Sequence, residues 1–198
     1  MFEFISHNWQ FLTAILGSAI ALYNFFDNVR VHKSELRWKQ ANIAREIIRE
    51  IHEHEKAKIA VLMMDWNVCF RLHPYREDAN IEFTVKYEEV LDILPDVARY
   101  DINNVAKDFD KEDKVYYILD CFDWFFYYID RIEQNIRSGL ILFENVKYVF
   151  LPYHLKIMNN KPVFDEFMKA RCYLLAPEFW KRYSTNEFKQ SNLNKNIS

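Results

Sequence analysis

From Phe4 to Phe26 the chain carries no charged residue, and it then turns abruptly polar and basic through Arg30, Lys33, Arg37 and Lys39. That run exceeds the ~20 residues a helix needs to cross hydrocarbon. Trp9 near one end and Tyr23, Phe25 and Phe26 near the other match the aromatic belts of a bilayer interface. The pattern predicts a transmembrane helix over residues 4–26. The basic flank places the remainder of the chain in the cytoplasm and the N-terminus outside, in an inner (cytoplasmic) membrane. A cleaved leader fits less well, because it calls for a basic start and a small-x-small cleavage site where this segment has Glu3 and a bulky LYNFF end.

Within this segment Gln10, Thr13, Ala14, Gly17, Ala21 and Asn24 recur at helical intervals along one stripe. Small and amide side chains match lipid poorly, since an unpaired amide in hydrocarbon costs several kcal/mol. One reading is close helix packing through Gly17-x-x-x-Ala21. The other is an assembly of several copies with Gln10, Thr13 and Asn24 facing an aqueous lumen.

The rest of the chain shows helical periodicity. Ser34 can cap a helix whose apolar positions run from Leu36 through Ile43, Ile47, Ile51, Ile59 and Met63 to Phe70, with Pro74 as its stop. The segment before it can run into this helix with only a bend near Asp27 to Lys33. A second run over 83–109 is interrupted at Pro95. Asp110 opens a third, with Val115, Leu119, Phe122, Phe126, Ile129, Ile132 and Ile136 on its inner face and Gly139 as C-cap. Its aromatics, including Trp124 and Tyr127, surround the helix and predict burial on all sides, either within the bundle or against another subunit. Helices over 143–160 and 162–183 come next, the last broken near Pro177. The polar stretch 189–198 reads as a disordered tail. The expectation is an all-α protein, with one transmembrane helix ahead of a cytoplasmic helical bundle over 27–188.

Composition supports this class. The 198 residues are 51% hydrophobic and 17% aromatic, and only two are glycine, which disfavours hairpin-rich β architecture. A net charge of −3 gives no bulk attraction to nucleic acid, so direct nucleic-acid binding is not expected. Cys69, Cys121 and Cys172 are odd in number and lie in apolar settings, which predicts buried free thiols. No phosphate loop, nucleophile elbow or metal-ligand spacing is present, so no cofactor, metal or catalytic residue is assigned.

The densest titratable run is REIIREIHEHE, residues 45–55. It holds the R-x(4–6)-H spacing twice, pairing Arg45 with His52 and Arg49 with His54. On an unbroken helix Arg45, Arg49 and His52 are neighbours, whereas Arg49 and His54 diverge. His52 and His54 also diverge, and no third metal ligand accompanies them. A solvated face laced with Glu–Arg pairs is the plain reading.

That Arg/His spacing marks the HEPN ribonucleases, all-α domains in which Arg and His from paired protomers cut RNA. The layout of one N-terminal span, a cytoplasmic α-bundle and this element resembles the small accessory membrane proteins of type VI-B CRISPR systems. The resemblance implies a HEPN-like bundle, Arg45, Arg49, His52 and His54 as its non-catalytic motif, and a homo-oligomer whose spans surround a pore. It further implies loss of membrane potential during phage infection and functional coupling to an RNA-guided, RNA-cleaving effector. The alternatives are a membrane-tethered HEPN-type ribonuclease and a non-catalytic anchor that recruits a cytoplasmic partner.

Overall fold

A computed structural model describes residues 2–65, 68–71, 82–95 and 109–184. The chain divides into two units, Met1–Asn42 and Ile43–Ser198. Helix α1 runs without interruption from Phe2 to Glu53 and contributes to both. Ser34 therefore sits inside a helix instead of capping one. The stretch contains no proline and one glycine, Gly17, so nothing in it stops propagation once the helix has formed.

Among the described residues no helix is long and apolar enough to cross a membrane. The span expected over 4–26 lacks that support. Its physical weak points are the polar residues that interrupt it, His7, Asn8, Gln10 and Asn24.

In the unit Ile43–Ser198, Ala44, Ile47 and Ile51 of α1 are buried, as the heptad-like spacing requires. The continuous helix expected as far as residue 72 is not what forms. A junction at His54 separates α1 from α2 (Glu55–Asp65), and the chain then enters strand β1 (Val68–Arg71). β1 pairs antiparallel with β2 (Glu82–Val85), with Val68 opposite Val85 and Arg71 opposite Glu82. Both segments are rich in β-branched and aromatic residues (VCFR, EFTV), which suit a pleated ladder better than a helix. Among the described residues, apart from this four-residue ladder, the fold is all-α, as the composition predicts. Helix α3 (Tyr87–Ile93) comes next, so the helix expected from Phe83 begins four residues later. Pro74 and the tail 189–198 lie outside the described residues.

Helix α4 (Phe109–Arg137) is the centre of this unit. It contacts α2, α3 and the later α7 (Ala176–Lys181). Ile118, Leu119, Cys121, Phe122, Phe125, Phe126, Ile129 and Ile132 are all buried, a wider face than one heptad stripe. It closes at Gly139 as expected: Gly139 has φ +74°, its N–H donates to the Ile136 carbonyl (3.1 Å), and Leu140 N–H donates to Asn135 (2.9 Å). These are the two bonds of a Schellman cap. Two further helices, α5 (Lys147–Asn159) and α6 (Lys161–Ala170), complete the bundle. The break expected near Pro177 lies earlier, over residues 171–175. Pro177 itself stands in the first turn of α7, where its missing N–H costs nothing.

The cysteines divide. Cys121 is buried and burial pushes its thiol pKa up, but Cys172 is exposed, against expectation. It lies just past the end of α6 instead of within a helix. The side chain of Cys69 lies outside the described residues.

Candidate functional site

The Arg/His run occupies the end of α1 and the junction after it. Arg45, Arg49 and His52 are exposed, and Arg49 Nε approaches Glu53 Oε1 at 3.6 Å. His54 behaves differently. Its Nδ1 accepts the backbone N–H of Ala57 at 3.3 Å, the third residue of α2, which makes His54 the N-cap of that helix. Its ring lies over Trp124 of α4, with centroids 4.1 Å apart, and meets Tyr128 edge-on at 5.8 Å. The backbone stays helically bonded through the junction, His54 N–H to Glu50 and Lys58 N–H to His54. The expectation that all four residues sit inside one long helix is thus corrected. Arg45, Arg49 and His52 present one solvent face, while His54 is turned into the bundle. A neutral His54 accepting at Nδ1 carries its proton on Nε2. Among the described residues no group of three or more His, Cys, Asp or Glu could hold a metal ion.

In the unit Met1–Asn42, the stripe residues Thr13, Gly17, Ala21 and Asn24 are exposed. Gln10 and Ala14 have their backbone in α1, and their side chains lie outside the described residues. Thr13 Oγ1 donates to the Trp9 carbonyl at 3.0 Å, so this hydroxyl is satisfied within its own helix. A Cβ added at Gly17 would meet nothing within 4 Å. Trp9, Ile15, Leu16, Ile20, Leu22, Tyr23, Phe25 and Phe26 are all exposed as well, Tyr23 at 71%.

A second feature lies in the unit Ile43–Ser198. Asp123, Trp124 and Tyr127 of α4, together with Tyr173 from the turn after α6, line a cleft of about 350 Å3. Trp124 and Tyr127 are 37% and 49% exposed, so the bundle of a single chain does not bury α4 on all sides. Their rings stand nearly perpendicular, at 78° with centroids 5.6 Å apart. Arg171 Nε faces Asp123 Oδ2 at 3.3 Å. Tyr173 donates its hydroxyl to the Asp123 carbonyl (2.6 Å) and lies 3.3 Å from Oδ1. Burial lifts the Asp123 carboxyl to about 6, although Arg171 and the Tyr173 hydroxyl work against the rise.

The turn that delivers Arg171 and Tyr173 is built on an unusual residue. Cys172 has φ 59°, the left-handed region. Cys172 N–H donates to Lys169 (3.2 Å) and Tyr173 N–H to Met168 (2.9 Å), a second Schellman cap with cysteine where glycine is the usual choice. Next to it, Asp130 of α4 accepts the N–H groups of Leu175 (3.1 Å) and Ala176, holding the start of α7.

The sequence assigns Trp124 and Tyr127 to a core or a subunit interface and assigns no role to Arg171 or Tyr173. The available signal was the one-face spacing of Asp123, Trp124 and Tyr127, opposite the apolar face that carries Phe122, Phe125 and Phe126. No family model, no curated protein and no solved structure matches the chain.

Proposed function

We propose that the chain is a single-span membrane protein that associates with copies of itself along α1, and that the associated helices enclose a pore. On the resemblance of its layout, it acts as an accessory of CRISPR-linked antiphage defence by perturbing membrane potential beside an RNA-guided, RNA-cleaving effector. The supporting observation is the set of large apolar side chains exposed along α1 from Trp9 to Phe26, on a stretch without a charged residue. In water this surface is unfavourable at about 25 cal/mol per Å2, and lipid or a second helix removes that cost.

The polar stripe explains why one copy is only marginally apolar. Asn24 has no mate in hydrocarbon, whereas side-by-side copies let such amides meet one another or water. Gly17 and Ala21 allow the close approach this needs. Thr13 adds nothing to the argument for a lumen, because its hydroxyl is already bonded to Trp9. The Arg/His run is read as a charged surface without catalysis, since His54 is engaged as a helix cap and a ring partner of Trp124.

The test uses the full chain and its Gly17→Leu variant in detergent and in liposomes. The expected result is a species larger than the 24.1 kDa monomer that conducts ions in liposomes. Leucine at Gly17 should shift it toward monomer and abolish conduction without lowering thermal stability. A wild-type monomer in every detergent, or no ion leak under any activating condition, overturns the proposal.

A further inference from the structure

The cleft on α4 is not used by the function proposed above, and its chemistry is specific enough to name a ligand class. Among the described residues that line it, three are aromatic and one is a carboxylate. Trp124 and Tyr127 form a corner, and Tyr173 is fixed by its hydrogen bond to the Asp123 carbonyl. The His54 ring, at the junction of α1 and α2, lies tilted over Trp124 with centroids 4.1 Å apart. The electron-rich faces and the carboxylate both disfavour an anion. A bare metal ion needs several oxygen or nitrogen ligands, and among the described lining residues one carboxylate does not supply them.

Asp123 is also incompletely engaged. Arg171 Nε lies 3.3 Å from Oδ2 yet finds no hydrogen-bond partner among the described residues, so this ion pair is off-line. Among the described residues, Oδ1 receives only the long 3.3 Å approach of a Tyr173 hydroxyl whose shorter bond goes to the backbone. The carboxylate therefore keeps lone pairs for a further charge. Such a cleft suits a cation with diffuse charge and a greasy surface, which aromatic walls can desolvate cheaply. We propose that the cleft of Asp123, Trp124, Tyr127 and Tyr173 binds an alkylated ammonium group, with the rings packing its methyl groups and Asp123 countering its charge. The same group occurs in free small cations and in choline lipid headgroups.

Isothermal titration of the full-length protein tests this with tetramethylammonium, choline and glycerophosphocholine. The uncharged choline analogue 3,3-dimethylbutan-1-ol serves as the neutral control. Saturable binding of the cations is expected, with the neutral analogue weaker by roughly tenfold or more. Asp123→Asn, which keeps the side-chain shape, should weaken tetramethylammonium by a similar factor. Tyr127→Leu, at a half-exposed position that the core does not need, should weaken it several-fold while thermal unfolding stays that of the wild type. Tighter binding of glycerophosphocholine than of choline would identify a lipid headgroup, and equal binding a free small cation. No saturable binding of any cation, a neutral analogue as tight as choline, or undiminished affinity in both folded variants overturns the proposal.

Discussion

Cys172 and Gly139 occupy the same backbone position in two Schellman caps, one residue past the C-cap, and only one of them is a glycine. A left-handed conformation costs an L-residue roughly 1–2 kcal/mol, which glycine does not incur, although glycine loses more freedom on folding. Cys172→Gly should therefore stabilise the protein by about 0.5–1 kcal/mol, and Gly139→Ala should destabilise it by about 1 kcal/mol. The Gly139 effect is purely conformational, because a Cβ there meets no atom within 4 Å. Urea unfolding of both variants checks the pair of opposite signs. His154 gives a second prediction at this scale. It is buried against Tyr183 (4.5 Å) and Trp180, its Nδ1 has no partner among the described residues, and burial lowers its pKa. The unfolded chain thus binds a proton near pH 6.5 that the folded chain resists. This group's contribution is complete above that pH and is lost as pH falls through 6.5 toward the depressed folded value. Asp123 works in the opposite sense: its raised pKa gives stability that is full below about 4 and lost as pH rises through about 6. The difference between wild type and His154→Phe isolates the histidine. Wild type should lose stability relative to the variant between pH 7 and pH 5.5, and parallel profiles would contradict the assignment.

Among the elements, the residue that follows α7 ties the chain to α4 through a concentrated polar contact. Glu133 is 1% exposed and accepts from Arg182 Nε (2.7 Å) and Nη2 (2.8 Å) and from Arg137 Nε (2.9 Å). A buried carboxylate with two arginines is strongly destabilising to break, but both arginines can reach water, which tempers the loss. Glu133→Ala should cost about 2 kcal/mol, and Arg137→Ala much less, in thermal or urea unfolding. The elements also show what sequence can carry. The α4 helix, its inner face and its Gly139 stop were readable, because periodicity and a glycine cap are local signals. The start of α2 was not, since HEHEK contains no breaker and His54 is drawn out of line by Trp124 and Tyr128, more than sixty positions away in the chain. The β1–β2 ladder was missed for a like reason: its pairing is non-local, and its apolar residues fit a helix period equally well. The α6 stop was hidden by a cysteine doing what glycine normally does. The cleft was hidden because Trp124 and Phe126 look equivalent in sequence, and only the neighbouring helices decide which is covered.

The whole molecule joins two units of opposite surface character. Met1–Asn42 exposes apolar side chains along much of α1, whereas Ile43–Ser198 buries a large aromatic core around α4. The proposed membrane function belongs to the first and the ligand cleft to the second, so the tests of the two are independent. Within the second unit, α2, α3 and α7 all lean on α4, and Phe122, Phe125, Phe126, Ile129 and Ile132 are each inaccessible to solvent. Removal of α4 would take away the element that α2, α3 and α7 share. Amide protons from Ile118 to Ile132 should therefore exchange with deuterated solvent only through global unfolding, and their exchange free energies should converge on the full unfolding free energy. Amides of α1 between Trp9 and Trp38 should exchange orders of magnitude sooner in detergent-free solution, then slow sharply once lipid or a second copy covers that helix.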